Sequence, residues 1–506
     1  MPNPLYDALF APLIGRQTAF LHLQDGTNIS GDAFAGVLAR AAHALHACGV
    51  KPGDRVAVQI AKSPEALAVY AATTTIGAVF LPLNPGYTAT ELDYFITNAT
   101  PRVLLCDPAN AANLGPIAAQ NGVILLTLTG TGQGSFADLM ATQPQTITPT
   151  PRDPDDLAAI LYTSGTTGRS KGAMLTHGNL LSNAQALAGL WRFTDQDILL
   201  HALPIFHTHG LFVASNVALL TGGSMIFLPT FDAATVLKHL PRATAMMGVP
   251  TFYTRLLDQP GFTRSSTAHI RLFVSGSAPL LRDTHVQFHA RTGHHILERY
   301  GMTETNMNTS NPSDGARRAG TVGFALPGVE LRITSDGRAV TPGDIGQIEV
   351  RGPNVFAGYW QMPAKTAEDL RADGWFITGD LGQVDAQGYL HIVGRSKDLI
   401  ISGGYNIYPI EIEALLDACP GVAESAVIGL PHPDLGEAVF AVLSAKAGAA
   451  VDPAAVLAGL HETLARFKHP RGAVVVADLP RNAMGKVQKA ALRAQYADWF
   501  LGAKNS

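Results

Sequence analysis

One ten-residue stretch gathers most of what an anion needs: Thr163-Ser164-Gly165-Thr166-Thr167-Gly168-Arg169-Ser170-Lys171-Gly172. Glycines let backbone N–H groups turn toward a phosphate, hydroxyls donate hydrogen bonds, and the two cations offset its charge. A polyphosphate is the natural guest. The stretch follows an apolar strand ending in Ile160-Leu161-Tyr162. It is not a Walker A loop, which requires G-x-x-x-x-G-K-[ST]. Gly165 and Gly168 are only three apart, and Gly172 follows Lys171. The bland alternative is a polar surface loop; Arg169, Lys171 and the strand before them favour phosphate.

The rest of the chain has to position that loop. The 506 residues exceed one compact core and imply several structural units. Hydrophobic residues make up 47% and charged residues 15%, the opposite of a disordered balance. Lys+Arg 36 against Asp+Glu 40 leaves a net charge of −4, so no concentrated basic face marks a nucleic-acid binder. Cys48, Cys106 and Cys419 lack CxxC spacing, which suits idle thiols in a reducing cytosol better than disulfides or zinc. The start Met1-Pro2-Asn3-Pro4 has no signal-peptide pattern. No apolar run reaches the ~18 residues of a membrane span. A cytoplasmic protein that binds neither nucleic acid nor membrane is the expectation.

The spacing predicts helices over 32–48 and 64–76, with strands at 55–60, 78–83, 103–106 and 123–128. Strand–helix alternation of this kind predicts helix-covered parallel sheets. Further strands follow at 222–228, 245–249 and 272–275. The pattern turns β-rich after about Gly320, at 329–334, 346–351 and 388–393. Beyond a charged segment, 394–398, comes a small α/β pattern: helix 409–418, strands 424–429 and 438–445, helix 453–466, strand 473–476 and a final helix from Gln488. The fold class is therefore α/β: a large N-terminal domain over 1–393 with a β-rich subdomain at about 320–393, a hinge at 394–398, and a small mobile C-terminal domain over 399–506.

At Thr163–Gly172 the chain resembles the acyl-adenylate-forming, AMP-binding superfamily of acyl-CoA synthetases, peptide-synthetase adenylation domains and luciferases. Five further segments match in order. They are Tyr300-Gly301-Met302-Thr303-Glu304-Thr305, Thr378-Gly379-Asp380, Gly394-Arg395-Ser396-Lys397-Asp398, Gly403-Gly404-Tyr405-Asn406-Ile407-Tyr408-Pro409 and Pro480-Arg481-Asn482-Ala483-Met484-Gly485-Lys486. The resemblance implies ATP, Mg²⁺ and coenzyme A. It implies that a carboxylate attacks the α-phosphate, so the site must neutralise two anions and align them. By resemblance Glu304 holds magnesium, with Thr163 near the same phosphates, and Lys171 and Lys486 are the catalytic lysines. Thr303 belongs to the same element as Glu304. Asp380 resembles the ribose-diol acceptor, its alternative being a turn or N-cap Asp. Arg395 would contact ribose or phosphate. Gly276, Ser277 and Ala278 on one side, and Glu298, Arg299, Tyr300 and Gly301 on the other, would sandwich adenine. Lys397 occupies the hinge position about which the small domain rotates between half-reactions. Gly403, Gly404 and Tyr405 would then line the coenzyme A tunnel.

For the acid, no Asp stands where amino-acid adenylation domains bind an ammonium. His207, Arg255 and hydroxyls stand there instead, which suits a small second carboxylate. Leu203-Pro204-Ile205-Phe206-His207-Thr208-His209-Gly210-Leu211 and the stretch from Arg299 to Thr309 are similar to malonyl-CoA synthetases of proteobacteria. That similarity implies malonate, with Arg255 on its distal carboxylate, Ser277 beside it, and Thr208 and Met307 flanking the α-carbon. Arg255 could instead pair with Asp258. His207 is read as gating and packing, because an ionised carboxylate needs no general base, and His209 as core. Alternatives left open are methylmalonate or another short acid, a carrier-protein acceptor, and a nucleotide-binding protein without turnover. Lys486 is also a candidate for regulatory acetylation, which would remove the charge adenylation needs.

Overall fold

The computed structural model describes residues 2–163, 170–335, 337–403, 405–460, 463–482 and 485–501. The chain forms two compact units: Met1–Leu331 with Val350–Phe376, and Arg332–Glu349 with Ile377–Ser506.

The first unit carries two large sheets. Among the described residues, one has six strands in the order Ile124–Thr127, Val103–Cys106, Arg55–Gln59, Val79–Pro82, Leu157–Thr163, Lys171–Thr176. The first five run parallel, and the last pair is antiparallel. The other sheet has nine, in the order Phe324–Ala325, Asn306–Ser310, Leu297–Met302, Leu272–Ser275, Ala245–Gly248, Ile198–His201, Ser224–Phe227, Ala19–Leu23, Asn28–Ser30. Its five central pairs are parallel, while the two pairs at the Phe324–Ala325 end and the one at the Asn28–Ser30 end are antiparallel. Parallel strands are covered on both faces, so they read as unbroken apolar runs. Val103–Cys106, Val79–Pro82 and Leu272–Ser275 are buried at every position.

The helix Pro64–Thr75 shows the same logic in three dimensions. Ser63 accepts from the Ala66 N–H and Pro64 opens the first turn, both favourable at an N-terminus. Residues 66–75 are all buried, so the helix has no polar stripe. Thr73, Thr74 and Thr75 satisfy their hydroxyls by donating to carbonyls one turn back. Tyr70 packs against Phe10, Phe80 and Phe212.

The second unit holds most of a five-stranded sheet and a second sheet built on the long hairpin Val422–His432 with Gly436–Ala445. That hairpin is buried on both faces. Val427, Val439, Ala441 and Leu443 pack with Ile412 and Leu416 of the helix Pro409–Asp417. Ala426, Ile428, Phe440 and Val442 pack with Leu492 of the helix Lys489–Gln495.

Two outcomes differ from the sequence pattern. The pattern sets the division at 394–398, whereas that segment lies inside the second unit, because Leu390–Arg395 hydrogen-bonds to Phe376–Val384. The predicted helix over 453–466 covers only Pro453–Gly459, and a 3₁₀ turn follows at Arg466–Lys468. No helix among the described residues is long and apolar enough to cross a membrane.

Candidate functional site

Ser164, Gly165, Thr166, Thr167 and Gly168 lie outside the described residues. The strands that bracket them do not. Leu157–Thr163 and Lys171–Thr176 form an antiparallel pair in which Thr163 faces Lys171. The segment is therefore bracketed by two antiparallel strands, whereas a Walker motif is followed by a helix.

Beside this hairpin runs 356–360, held by backbone bonds from Ala357 to Met174, from Met174 to Gly358 and from Trp360 to Gly172. That pairing aims Tyr359 at the mouth of the hairpin. The Lys171 ammonium lies 4.2 Å from the Tyr359 ring centre and 3.5 Å from Asp369 Oδ2. The Tyr359 hydroxyl donates to Glu304 Oε1 at 3.1 Å, and Glu304 is buried. Burial first, then the Glu304 and Asp369 carboxylates, push the phenol well above its ordinary range, so Tyr359 is a neutral donor. It joins two residues proposed from sequence to meet phosphate and metal. Gly358-Tyr359-Trp360 carries no local signature of that role; only strand pairing reveals it.

Glu304 sits in the reversal between Leu297–Met302 and Asn306–Ser310, with Thr303 half-buried beside it. The reversal is tight at Gly301, where a Cβ would lie 1.8 Å from the Asn306 carbonyl oxygen. It holds Tyr300 and Met307 buried. Thr208 donates to Asn306 Oδ1 at 2.8 Å. His209 Nδ1 lies 3.1 Å from Ser277 Oγ, and the His209 N–H donates to His207 Nδ1 at 3.3 Å. Ser277 adopts φ 72°, next to Gly276 and Ala278. A non-glycine residue there is strained, a feature that recurs at ligand sites. His207, Thr208, His209, Ser277 and Met307 are thus brought together by segments nearly 100 residues apart in sequence.

Arg299 is the unexpected member. The sequence pattern placed it on an adenine shelf with Glu298. Its side chain instead packs beneath Gly276, where a Cβ would sit 2.1 Å from the guanidinium carbon. Arg299 is 5% exposed, and its Nε and Nη2 have no hydrogen-bond partner among the described residues. Burial pulls the guanidinium down to about 9, against the nearby Tyr253 phenol, which leaves it charged at neutral pH. Burial, and next the Arg299 charge, hold His209 well below the usual imidazole range and hence neutral. A buried cation lacking an acidic partner is costly unless an anion joins it.

The Glu298 carboxylate accepts from the Gly320 N–H at 3.2 Å and lies 3.1 Å from His285 Nδ1. It is thus a buried carboxylate bonded to protein rather than an open adenine contact. Arg255 also departs from expectation. The helix Pro250–Leu257 buries Phe252, Tyr253 and Leu256 and leaves Arg255 exposed. No ion pair joins Arg255 to Asp258 among the described residues.

The second unit assembles its own set. Asp380 and Arg395 face each other across adjacent strands, with Oδ1 and Nε 2.9 Å apart. Asp380 lies within a strand, not at a helix N-cap, and its N–H donates to Thr378 Oγ1. Lys486 ends a turn closed by Asn482, which bonds the Lys486 N–H through Oδ1 and the Lys486 carbonyl through its own N–H. Burial first, then the Arg395 charge, pull the Lys486 ammonium down to about 8, while Asp380 opposes them. Lys397 lies in the 3₁₀ turn Ser396–Asp398, and Arg493 pairs with Asp398. Gly403 adopts φ 57° and bonds to Leu435, while Gly404 lies outside the described residues. Tyr405 is exposed and stacks on Phe467 with ring centres 4.6 Å apart.

Comparison with known proteins converges on one family. The AMP-binding enzyme model matches residues 15–360, and the AMP-binding enzyme C-terminal domain model matches 411–486. A feruloyl-CoA synthase from an Amycolatopsis species is 37% identical, over 91% of this chain and 92% of its own. The malonate–CoA ligase of Arabidopsis thaliana is 36% identical, over 88% of this chain and 78% of its own. The crystal structure of ATP-bound MatB from Rhodopseudomonas palustris matches with a TM-score of 0.97 at 56% identity, covering 99% of this chain and all of that one.

Proposed function

The chain belongs to the AMP-binding enzyme family, and from that premise we propose that it is an AMP-forming malonate–CoA ligase. The observation that carries the choice of acid is Arg299. A buried guanidinium with two nitrogens unpartnered among the described residues, set beneath Gly276 and near His209, calls for an acid bearing a second carboxylate. We assign the distal carboxylate of malonate to Arg299 rather than to the exposed Arg255. The neutral His209 adds no competing charge. Thr208 and Met307 flank the α-carbon, and His207 closes the pocket.

In the first half-reaction the second carboxylate of malonate attacks the α-phosphorus of ATP. An acyl C(=O)–O–P bond forms, the Pα–O bond to the β-phosphate breaks, and pyrophosphate leaves. Lys171 and Thr163, with the 164–168 loop, meet the phosphates. Gly276, Ser277, Ala278, Tyr300 and Gly301 border the base, and Asp380 with Arg395 takes the ribose. Lys486 places a point charge between the reacting carboxylate and the α-phosphate. One buried carboxylate, Glu304, held by a neutral phenol, fits Mg²⁺, which prefers one or two carboxylates plus phosphate oxygens. When bound, magnesium offsets the charge that builds on the phosphates. In the second half-reaction the thiolate of coenzyme A attacks the acyl carbon, a thioester forms, and AMP leaves. Gly403, Gly404 and Tyr405 line its approach, with Lys397 as the hinge.

The lowered Lys486 amine supports a further reading, that the same lysine is acetylated as an off-switch. Neutral amine is the nucleophile, and a value of about 8 exposes far more of it at neutral pH than an ordinary lysine does. We place the enzyme in the cytosol, in keeping with three thiols that form no disulfide.

The test is pyrophosphate release with malonate, methylmalonate, succinate, acetate and butyrate. Malonate should lead by at least about tenfold, the scale on which one pocket contact discriminates. Acetate or butyrate turning over as fast as malonate would sink the dicarboxylate reading.

A further inference from the structure

Lys62 plays no part in the mechanism above, yet its ammonium reaches into the acid pocket's support. It lies between the strand Arg55–Gln59 and the helix Pro64–Thr75. From there Nζ donates to His201 Nδ1 at 2.8 Å, to the His201 carbonyl at 2.8 Å and to the Leu203 carbonyl at 2.9 Å. Three donors meet three acceptors, the full capacity of an ammonium. The Phe227 ring centre stands 4.2 Å away, a cation–π distance.

His201 passes the connection on. Because Nδ1 accepts from Lys62, Nε2 carries the proton and donates to the Gly210 carbonyl at 2.8 Å. Ser215 donates to the same carbonyl at 2.9 Å. Burial first, and the Lys62 charge next, keep His201 neutral and fixed in that tautomer. Residues 203 and 210 are the two ends of the loop that presents His207, Thr208 and His209. The loop closes on itself, since a Cβ at Gly210 would lie 2.0 Å from the Pro204 carbonyl oxygen. A direct bond from Lys62 to Leu203 and a chain from Lys62 through His201 to Gly210 therefore tie the two ends of the acid-recognition loop to the neighbouring six-stranded sheet.

We propose that Lys62, acting through His201, is a positioning residue that sets acid specificity by clamping both ends of the 203–210 loop. It touches no substrate. It holds Thr208 against Asn306 and His209 against Ser277, so the pocket keeps its width at the α-carbon. A positioning shell of this kind decides whether a site is tight or loose by an ångström. The proposal rests on the reading of 203–210 as the acid-binding loop.

The test uses the full-length enzyme carrying Lys62→Met, which keeps the stem and removes the donors. His201→Asn keeps an acceptor for Lys62 and drops the bond to Gly210. Ser215→Ala is the mildest cut, should either of the others fail to fold. For K62M and H201N, KM for malonate should rise at least tenfold, and the malonate-to-methylmalonate ratio of kcat/KM should fall at least fivefold. The dissociation constant of ATP, by calorimetry, should stay within about twofold. S215A should raise KM for malonate two- to threefold with ATP binding unchanged. The K62M/H201N double variant should be no worse than the poorer single one, because both cut the same chain. Equal loss of malonate and ATP binding, additive effects, or unchanged acid selectivity in soluble variants would overturn the proposal. The wild-type acid panel separates this outcome from failure of the underlying reading: a wild type that prefers monocarboxylates refutes malonate, while a selectivity shift in K62M among those acids still supports the clamp.

Discussion

The acid pocket of the first unit and the Lys486 cluster of the second are built on opposite principles. The proposed pocket is buried and held by direct side-chain bonds, with the Arg299 guanidinium buried among its residues. The cluster is a set of mixed charges, Asp380, Arg395, Lys397, Asp398 and Lys486, carried on a strand pair and two turns. The difference divides the work. In the proposed division, burial and bond geometry choose the acid, because displacement of a methyl group or loss of an ion pair is felt most in a packed site. A point charge on a turn serves chemistry, because its effect depends on distance to the developing charge rather than on fit.

The sharpest way to break this division is Lys486→Ala. Exchange of pyrophosphate into ATP should fall by about 10³, the scale of one transition-state contact. Thioester formation from supplied malonyl-AMP should change little. Equal loss in both steps would deny Lys486 its specific role. Arg299→Met is the matching cut in the pocket. It should lower kcat/KM for malonate about 10²-fold while leaving melting temperature unchanged or raised, since an unpartnered buried charge does not support the fold. Arg255→Ala, on the exposed side of its helix, should cost far less; the reverse ranking would return the carboxylate to Arg255.

Smaller effects sharpen the same contrast. Tyr359→Phe keeps the ring under Lys171 and removes the donor to Glu304, so the apparent magnesium requirement should rise about tenfold, read by titrating Mg²⁺ at fixed ATP. Thr208→Ala should shift preference toward methylmalonate by several-fold, within the ~1–3 kcal/mol that one methyl group commands. The smallest effect is on pH dependence. The Lys486 amine titrates at about 8, below the ordinary lysine value. The cation is present below that pH and lost above it, so adenylation should decline as pH rises through 8. Lys486→Arg, whatever its absolute rate, should show no such limb, and a matching limb in that variant would assign it to another group.

Much of the frame was legible beforehand. Val103–Cys106 and Leu272–Ser275 appear at their predicted positions because strands buried on both faces read as nearly continuous apolar runs. Asp380 beside Arg395 followed from two separate motifs, and the register of two strands pairs them. Other expectations gave way. Glu298 and Arg299 are neighbours in sequence, yet one is bonded to His285 and Gly320 while the other lies beneath Gly276.

The sequence by itself determined the residue types: glycines, hydroxyls and cations suited to phosphate, and the carboxylate and lysine that the family resemblance proposes for magnesium and the reacting centre. Those choices are local, since a residue type limits what an atom can donate, accept or carry. The tertiary structure decided which cation is buried beneath Gly276, which tyrosine joins Lys171 to Glu304, and which lysine bonds to His201 and Leu203. Each of these depends on burial and on contacts that span as many as 188 positions of sequence, and no local pattern encodes a distance of that kind.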